Sequence, residues 1–431
     1  MAEPRRFFLQ TLGCPKNQVD TDKITGTLLD DGMVPSRDAA SADLVVVNTC
    51  AFIEEARQES IDTILALDDE RADGSRLVVT GCMAERYGDE LAEALPEVDQ
   101  VAGFGVPVQL GRKPEGLSVS AAPPVPEFDL LNVRRPRSDL PWAYVKIAEG
   151  CDRTCGFCAI PSFRGPQNSR TEESILREVD ELDVREVVLV AQDLASYGKD
   201  HGRRGAIVPL VEAVAREVDR VRLLYLYPSD LSDELIDAVL ASGTPYFDLS
   251  LQHVSKAHLR RMRRWGDGQR FLDRIEQIRR REPEAAFRSN FIVGYPGETE
   301  DDQAEMAAWI EAAQLDWCGF FTYSKEEGTH AADLDDQVRR ELALQRLAEL
   351  TELQDGITAE RRDALVGSTL SVLVDQPGVG RSHREAPEID GIVSVDPGRT
   401  PGRFHEVLID WSDGPDVGEA SADADAAAEY T

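Results

Sequence analysis

Apolar, β-prone runs and stretches with helical spacing alternate along the first 125 residues. Each apolar run is short, and the stretch that follows repeats its apolar residues every three to four positions. Strands that alternate with helices usually pair in parallel, so the pattern predicts a small parallel α/β domain over residues 1–125. The predicted strands are Arg6–Leu12, Asp43–Val47 and Leu77–Thr80, and the predicted helices are Val19–Leu29, Glu54–Leu67 and Ala84–Leu95.

Six further strand–helix units follow between residues 139 and 364. They predict a partial, TIM-like (β/α)6 barrel, in which catalytic groups collect at the rim formed by the carboxyl ends of the strands. The predicted strands are Ala143–Ala148, Glu186–Val190, Arg222–Leu226, Tyr246–Leu251, Phe287–Val293 and Trp317–Thr322. The predicted helices are Glu172–Leu182, Val208–Val218, Ser232–Leu240, Gly268–Arg281 and Glu300–Ala313.

The pattern changes again at Leu365, after a long charged helix predicted over Asp335–Ala364. Short β runs separated by turns predict a small OB-like antiparallel β-barrel. The acidic tail from Gly418 on is predicted to be disordered. Residues 113–141 are rich in Pro, Ser and small residues and predict a linker. The chain is therefore expected to be of the α/β class, with domains at 1–125, 139–364 and 365–431.

Three of the seven cysteines stand on one loop, Cys151, Cys155 and Cys158, in the spacing CxxxCxxC. Three thiolates can hold three corners of an iron–sulfur cube and leave the fourth iron open. An open metal position is where substrate chemistry takes place. The alternatives are a zinc site or unrelated thiols. Zinc requires a fourth Cys or His nearby, and the next histidine is His201. A disulfide set conflicts with the odd number of cysteines.

Three other cysteines, Cys14, Cys50 and Cys82, each follow a predicted strand of the first domain. The carboxyl ends of parallel strands lie along one edge of a sheet, which is its usual ligand edge. We therefore expect these cysteines to converge into a second three-thiolate set with one open position. Gly13 and Gly81 beside them permit close approach of the backbone. The alternative is a group of three buried structural cysteines.

Polar groups also follow the predicted barrel strands, and we expect them to share one mouth with the CxxxCxxC loop. His253 is interpreted as a hydrogen-bonded rim or core histidine rather than a metal ligand. Cys318 is interpreted as a core residue. The basic run Arg260–Arg264 is either a solvated helix end or faces anionic ligand groups. The polar or glycine-rich groups that follow the six strands are Glu149-Gly150-Cys151, Gln192-Asp193, Tyr227-Pro228, Gln252-His253, Gly294-Tyr295-Pro296-Gly297-Glu298 and Tyr323-Ser324-Lys325.

The chain has 431 residues and a formal net charge of −33. This charge argues against nucleic acid as the main partner, because binding it normally requires a basic face. It favours a basic partner through electrostatic steering; the alternative is an organism that acidifies its whole proteome for solubility. No apolar run approaches the roughly 20 residues of a membrane helix, and the N-terminus has no pattern of a signal peptide. We therefore expect a cytoplasmic protein with no membrane partner.

Two three-cysteine sets followed by a small β-barrel make the chain resemble the methylthiotransferases, a family of radical S-adenosylmethionine (SAM) enzymes. The resemblance covers nearly the whole chain, and it is greater for the branch that modifies a ribosomal protein than for the branch that modifies transfer RNA. Gly156 departs from the serine that is common at its position. The matching stretches are TLGCPKNQVD (11–20), NTCAFIEEA (48–56), GCMAERY (81–87), AYVKIAEGCDRTCGFCAIPSFRG (143–165), QD with YG (192–198), LYLYP (224–228), LQHVS (251–255), MRR (262–264), FIVGYPGETE (291–300) and YSKEEGT (323–329).

The resemblance implies two 4Fe–4S clusters and SAM as cofactors. Cys151, Cys155 and Cys158 would hold the SAM-cleaving cluster and act as the catalytic set, and Cys14, Cys50 and Cys82 would hold an auxiliary cluster that carries the transferred sulfur. Phe157 matches an aromatic residue that lies near the adenine of SAM. The C-terminal barrel would be a TRAM domain. Further candidates for holding SAM and the substrate are Gln192, Asp193, Gln252, Gly294, Gly297 and Glu298.

The implied reaction is methylthiolation of the β-carbon of an aspartate in the twelfth protein of the small ribosomal subunit, a basic protein. It needs an electron donor such as a flavodoxin or a ferredoxin. The first alternative is a transfer-RNA methylthiotransferase; such an enzyme is expected to carry a basic C-terminal face, whereas residues 365–431 hold 4 Lys/Arg against 13 Asp/Glu. The second is an iron–sulfur scaffold or electron carrier, which would fill all four iron positions with protein ligands.

Overall fold

The structure is a computed structural model and describes residues 4–108 and 129–420. The chain divides into two compact units. Unit 1 comprises residues 1–137, 148–152 and 159–174, and unit 2 comprises residues 138–147, 153–158 and 175–431. Most of the predicted linker and the predicted acidic tail lie outside the described residues. No described helix combines the length and the apolar character that crossing a bilayer requires.

Unit 1 is built on a five-stranded, all-parallel sheet in the order β2-β1-β3-β4-β5. Helices follow three of its strands. Unit 1 also contains a small antiparallel pair, β7 with β8. The elements are β1 (Arg6–Thr11), α1 (Pro15–Asp30), β2 (Val34–Pro35), β3 (Leu44–Thr49), α2 (Glu54–Glu70), β4 (Arg76–Gly81), α3 (Cys82–Ala94), β5 (Gln100–Ala102), β7 (Ala148–Glu149), α4 (Ile160–Arg164) and β8 (Asn168–Ser169).

The central strands of this sheet are buried on both faces, as their continuous apolar runs predict. Successive side chains of a strand point to opposite faces, and here each face has its own core. Leu44, Val46 and Val78 pack in one core, whereas Val45 and Val47 pack in the other. Both faces of the sheet are therefore covered, and only its edges are left for a ligand site.

Unit 2 contains six parallel strands in two three-stranded sheets, β6-β9-β10 and β11-β12-β13. A parallel β-bridge joins Leu226, which follows β10, to Leu249 on β11. This bridge links the two sheets into one open barrel. The elements are β6 (Trp142–Lys146), α5 (Glu172–Leu182, beginning in unit 1), β9 (Glu186–Val190), α6 (Ile207–Val214), β10 (Arg220–Leu223), α7 (Asp233–Ala241), β11 (Tyr246–Gln252), α8 (Lys256–Arg261), α9 (Gly268–Arg281), β12 (Ala286–Val293), α10 (Glu300–Ala313), β13 (Trp317–Thr322) and α11 (Arg340–Asp363).

The C-terminal part of unit 2 is a six-stranded sheet in the order β17-β14-β15-β16-β19-β18. Val372, Val393 and Val407 lie in its fully buried core. The pairs are antiparallel except β16 with β19, which is parallel. The strands are β14 (Thr369–Gln376), β15 (Val379–Arg381), β16 (Val393–Ser394), β17 (Phe404–Leu408), β18 (Trp411–Asp413) and β19 (Asp416–Gly418).

A buried cluster of charges joins this C-terminal sheet to the barrel strands within unit 2. Glu186 on β9 accepts hydrogen bonds from Arg222 at 2.8 Å and from Arg381 at 3.1 Å. Arg381 also donates to both oxygens of Asp375, at 2.6 and 3.0 Å. All four side chains are fully buried, so each charge depends on its partner.

The predicted α/β class is confirmed, with its parallel N-terminal sheet and its partial barrel of six strands. The structure refines the C-terminal barrel, whose sheet is mixed rather than wholly antiparallel because of the β16–β19 pair. The predicted helix over Asp335–Ala364 is confirmed as α11 but begins later, at Arg340. The short strand β5 and the helix α4 were not predicted, because each has fewer than six residues and shows no periodicity.

Candidate functional site

The three strand-end cysteines lie along one edge of the unit 1 sheet. Their strands are neighbours, and Thr11 pairs with Asn48, which pairs with Thr80. Cys14, Cys50 and Cys82 come two or three residues beyond these paired positions. The carboxyl ends of three adjacent parallel strands thus deliver the three sulfurs to the same edge, as the sequence predicts.

Contacts around the cysteines show how closely these three chain segments approach. A Cβ added to Gly13, next to Cys14, would lie 2.8 Å from the Cβ of Cys50. Asn17 donates hydrogen bonds from its Nδ2 to the carbonyls of Leu12, at 2.8 Å, and Thr49, at 3.0 Å. The Oδ1 of Asn17 lies 3.7 Å from the sulfur of Cys82. One asparagine therefore fastens two strand ends beside the third cysteine.

The surroundings of Cys14 favour a thiolate. Cys14 is the N-cap residue of α1, so its sulfur lies at the positive end of a helix. Burial raises the pKa of this thiol, but Lys16, Arg164 and the backbone N–H groups of Asn17 and Lys16 outweigh burial and lower the pKa. Amide groups directed at a sulfur are a usual feature of cysteines that hold iron–sulfur clusters.

The other two thiols of the set, Cys50 and Cys82, are buried, and the pKa of each is affected by charged groups close to it. Burial, together with the negative charges that Cys82 and Cys14 would carry, raises the pKa of Cys50 to about 12. Burial likewise raises the pKa of Cys82, against the lowering effect of Arg164. A thiol with such a raised pKa stays protonated near neutral pH unless a metal ion binds the sulfur and displaces the proton.

Arg164, at the end of α4, contacts this set from within unit 1. Its Nη2 donates to the sulfur of Cys82 at 2.9 Å and to Oδ1 of Asn17 at 2.8 Å. Its Nη1 donates to Oε1 of Glu149 at 2.7 Å, and the guanidinium lies 4.5 Å from the ring centre of Phe104. Burial alone would lower the pKa of Arg164, but the negative charges of Glu149, Cys82 and Asp20 outweigh burial and raise the pKa well above its ordinary value. The side chain is therefore charged.

This arrangement fits a three-thiolate cluster site. The donor set is three cysteine sulfurs. Beside Cys82, a Cβ on Gly81 would lie 2.6 Å from the carbonyl oxygen of Thr49, so only glycine fits at this position without a shift of the backbone. Over residues 4–108 and 129–420, no group of three His, Cys, Asp or Glu side chains is arranged to hold one metal ion. A cubane asks for a wider arrangement, because each thiolate binds a different iron atom.

The CxxxCxxC loop contributes residues to both units. Cys151 belongs to unit 1, where it is buried and its backbone N–H donates to the carbonyl of Gly165 at 3.1 Å. Gly150 before it has a φ of +75°, and a Cβ there would lie 2.6 Å from the carbonyl oxygen of Gly165. This glycine therefore allows the turn into the loop. Cys155 and Cys158 belong to unit 2, and both are half-buried.

Two arginines surround Tyr227 beside Cys155 in unit 2. Arg264 donates to the sulfur of Cys155 at 3.3 Å, and its guanidinium lies 4.2 Å from the ring centre of Tyr227. The guanidinium of Arg153 lies 3.9 Å from the same ring. Arg153 also donates to Asp193 at 2.5 Å and pairs with Asp230. The basic run thus supplies Arg264, whose side chain reaches a sulfur of the cysteine loop.

Phe157 packs in a small cluster with Met262, Tyr295 and Ala331. The backbone of Gly156 holds the loop there: its N–H donates to the carbonyl of Met262 at 2.8 Å, and its own carbonyl accepts from Ala331 at 2.7 Å. A Cβ on Gly156 would lie 3.1 Å from the carbonyl of Arg261 and 3.4 Å from the Tyr295 hydroxyl. The space beside this residue is therefore narrow, and a side chain there would require its neighbours to shift.

The loop Gly294–Glu298 is closed on itself by Glu298. Both carboxylate oxygens accept from the backbone N–H of Gly294, at 3.0 Å each, and Arg346 donates to Oε1 at 2.9 Å. Gly294 and Gly297 both have a positive φ, of +75° and +82°. Glu298 is buried, and its contacts fix the loop shape, so it can position this loop rather than touch a ligand directly.

His253 lies next to this loop and is fully buried. Its Nδ1 accepts from the backbone N–H groups of Val254 and Ser255, both at 3.0 Å, and its Nε2 lies 3.7 Å from Glu298. Nδ1 is therefore occupied as an acceptor. The prediction of a hydrogen-bonded histidine is confirmed.

The remaining predicted residues fall at strand ends of the barrel. Asp193, after β9, is buried and joined to Arg153 and Ser196, and the half-buried Gln192 precedes it. Gln252, at the end of β11, has a φ of +72° at a register irregularity, which redirects the strand there. Cys318 is half-buried rather than fully in the core.

Sequence reasoning did not single out Arg164 or Asn17, and it named Arg264 only within the basic run Arg260–Arg264. Each acts through a side chain that reaches a cysteine remote in sequence, and no periodicity reports such a contact. The available signal was position alone: Asn17 lies three residues after Cys14, and Arg164 lies six after Cys158.

Three family profiles match the chain in succession. The profile described as uncharacterized protein family UPF0004 matches residues 6–103, the radical SAM superfamily matches residues 145–310, and the TRAM domain matches residues 366–420. The succession agrees with the N-terminal sheet, the open barrel and the C-terminal sheet.

Several curated proteins are similar over almost their whole length, and each is named ribosomal protein uS12 methylthiotransferase RimO. The protein from Kineococcus radiotolerans is 41% identical over 91% of this chain and 91% of its own length. The one from Streptomyces griseus is 38% identical over 97% and 98%, and the one from Desulfitobacterium hafniense is 40% identical over 96% and 98%.

Among solved structures, the radical SAM methyltransferase TsrM from Kitasatospora setae aligns with 91% of this chain and 80% of its own. The TM-score is 0.50 and the sequence identity 16%. At this identity the likeness shows a shared fold and nothing more.

Proposed function

The chain belongs to the RimO family of ribosomal protein uS12 methylthiotransferases, and we propose that it performs this reaction with two 4Fe–4S clusters, one held by each three-cysteine set. It is a radical SAM enzyme that attaches a methylthio group to uS12, at the β-carbon of an aspartate. The observation that carries the proposal is the convergence of Cys14, Cys50 and Cys82 at one sheet edge, in a chain that also carries CxxxCxxC.

The reaction needs cofactors because the target C–H bond is unactivated, and a general base with a pKa near neutrality cannot remove its hydrogen. When bound, the clusters and SAM supply the one-electron chemistry and the sulfur. The chain supplies ligands, position and exclusion of water. Cys151, Cys155 and Cys158 hold the cluster that cleaves SAM, and Cys14, Cys50 and Cys82 hold the auxiliary cluster.

We assign SAM and substrate positioning to the rim residues of unit 2. Phe157 is held against Tyr295 by packing, where it can contact the adenine of SAM. Gly294, Gly297 and Glu298 shape the neighbouring loop, and Gln192, Asp193 and Gln252 end two other barrel strands. In this proposal residues 1–125 form the N-terminal methylthiotransferase domain, 139–364 the radical SAM domain and 365–431 the TRAM domain.

The substrate class follows from family membership and charge. A basic ribosomal protein suits a chain of net charge −33, because complementary charge steers encounter. The proposed setting is the cytoplasm, with a flavodoxin or a ferredoxin as electron donor. The transfer-RNA enzyme is the less supported alternative, because the 38–41% identical relatives named above all carry the uS12 name.

The test has two parts. Anaerobic reconstitution is expected to give two cubane clusters in the parent protein and one, the auxiliary cluster, in Cys155→Ala, and this variant is expected not to cleave SAM. Continued SAM cleavage by Cys155→Ala would contradict the assignment of the loop. Mass spectrometry of uS12 and of transfer RNA from a deletion strain then decides the substrate: loss of methylthiolation on transfer RNA with uS12 unaffected would overturn the proposed function.

A further inference from the structure

The buried guanidinium of Arg164 stands between a cysteine of the auxiliary set and the segment that leads into the CxxxCxxC loop. Its side chain is only 3% exposed. It ends α4, and Gly165 after it has a φ of +72°, which turns the chain away and leaves the arginine directed inward. All the contacts below lie within unit 1.

Arg164 divides its donors between two kinds of acceptor. Nη1 donates to Glu149, two residues before Cys151, at 2.7 Å, and lies 3.7 Å from Asp20. Nη2 donates to Asn17 at 2.8 Å and to the sulfur of Cys82 at 2.9 Å. The fork of a guanidinium fixes these two directions relative to each other, which a flexible lysine amine would not do.

The contact with sulfur is informative because a neutral thiol is a weak acceptor. A buried arginine would satisfy its charge with Glu149 and Asp20 alone, yet one arm is directed at Cys82. A charged donor at 2.9 Å is suited to a sulfur that carries negative charge, as a cluster ligand does. Asn17 holds this arm, since its own Nδ2 is fastened to the carbonyls of Leu12 and Thr49.

We propose that Arg164 is a positioning residue of the auxiliary cluster, which donates a hydrogen bond to the ligating sulfur of Cys82 and raises the reduction potential of that cluster. The proposal rests on the proposed function, since it requires a cluster at Cys14, Cys50 and Cys82. Its physical basis is that hydrogen bonds to ligand sulfurs and nearby positive charge both stabilise the reduced, more negative cluster. The link to Glu149 holds the guanidinium in the required orientation.

The experiment uses the full chain with Cys151, Cys155 and Cys158 all replaced by alanine, so that only the auxiliary cluster can form. Its midpoint potential is measured by redox titration with electron paramagnetic resonance, together with iron content. Arg164→Gln is expected to shift the potential to a more negative value and to change the resonance spectrum. Arg164→Lys, which keeps the charge but not the fork, is expected to shift it less.

Arg71→Gln is the matched control. Arg71 is a mostly buried arginine of unit 1 that pairs with Asp68 and Asp99. It follows α2, whose 17 residues place it roughly 25 Å from the helix end that follows Cys50. Its loss removes a positive charge and two ion pairs from the same unit, and is expected to leave the potential and the spectrum unchanged.

Each outcome distinguishes the inference from the function on which it rests. If the triple-alanine parent binds no cubane, the proposed function fails, whatever Arg164 does. If Arg164→Gln binds a cluster whose potential and spectrum equal those of the parent, the inference is overturned. If Arg164→Gln binds no iron, Arg164→Lys decides: a potential equal to that of the parent overturns the inference, and a negative shift supports it.

Discussion

At the scale of single residues, the junction between β4 and α3 depends on the backbone of Gly81. Gly81 has a φ of 90° and a ψ of −159° and is the N-cap residue of α3. This region of conformational space is essentially confined to glycine. Because Cys82 follows directly, the conformation of Gly81 sets the direction in which that cysteine leaves the strand.

Gly81→Ala is therefore expected to reduce both stability and auxiliary iron content. The added Cβ would contact Asn48 and lie 2.6 Å from the carbonyl of Thr49, in addition to a backbone strain of about 1–3 kcal/mol. Denaturant unfolding and iron analysis in the Cys155→Ala background measure the two effects.

Gly74→Ala is the control, because Gly74 has a similar φ of +82° but nothing within 4 Å of an added Cβ. It is expected to cost about 1 kcal/mol from backbone strain and no iron. Equal iron content in the two variants would show that close packing at Gly81 does not shape the cysteine site.

The convergence of Cys14, Cys50 and Cys82 could be predicted from the sequence, because each of them follows a strand and the strand ends of a parallel sheet meet at one edge. Arg164 and Asn17 could not. Their roles depend on which remote backbone and sulfur atoms their side chains reach, and this is decided by packing. The orientation of Glu298 toward its own loop was likewise invisible, since a carboxylate in a glycine-rich loop is equally typical of a ligand contact.

At the scale of elements, the predicted strands and helices were found, and their bounds shifted for local reasons. The predicted strand Arg222–Leu226 is observed as β10, Arg220–Leu223, because Tyr225 has a φ of +65° and interrupts the extended chain. Helix α1 begins at Pro15 rather than Val19, because proline at the first turn suits a helix that Cys14 caps. Such reasons become visible only once backbone angles are known.

Strand β9 carries the clearest energetic consequence at this scale. Glu186 is the shared partner of Arg222 and Arg381, and all three are fully buried. Glu186→Ala is expected to destabilise unit 2 by about 3–5 kcal/mol, because two buried guanidinium groups lose their common counter-charge. Denaturant unfolding measures the loss.

Asp219→Asn provides the comparison for Glu186→Ala. Asp219 pairs with Arg185, and the two side chains are 46% and 44% exposed. Loss of this ion pair is therefore expected to cost less than about 1 kcal/mol. If the two variants unfold at the same denaturant concentration, the buried cluster does not stabilise the attachment of the C-terminal sheet.

Helix α11 is tied to the C-terminal sheet by a pH-dependent contact between Arg362 and Glu385. Burial would raise the pKa of Glu385, but Arg362 and Ser382 outweigh it and lower the pKa to about 2, from an ordinary value of 4.5. A lowered folded pKa gives stability that is present above pH 4.5 and is lost as the pH falls toward 2.

Glu385→Gln is therefore expected to be less stable than the parent at pH 7 by on the order of 3 kcal/mol, and this difference is expected to shrink as the pH falls below about 4.5. Unfolding midpoints across this pH range give the comparison. Glu406→Gln, on an exposed position of the same sheet, is the matched control and is expected to change the stability at pH 7 by less than about 0.5 kcal/mol. A difference for Glu385→Gln that stays constant with pH would refute the assignment.

At the scale of the whole molecule, the outstanding property is the excess of 80 acidic over 47 basic residues. Two interpretations of this charge have different physical consequences. If it serves encounter with a basic substrate, the field of the protein must accelerate association, and salt must weaken that effect. If it serves solubility alone, substrate binding has no special dependence on salt.

The KM for uS12 is therefore expected to rise as salt increases from about 50 to 300 mM, because exposed charges are screened over a shorter distance. The kcat is expected to change little, since the chemical steps occur after association. SAM, which carries far less net charge than a basic ribosomal protein, serves as the internal control, and its KM is expected to change much less. A uS12 KM that is equally constant would assign the acidic surface to solubility, and would leave substrate choice to the shape of the barrel mouth and the C-terminal sheet.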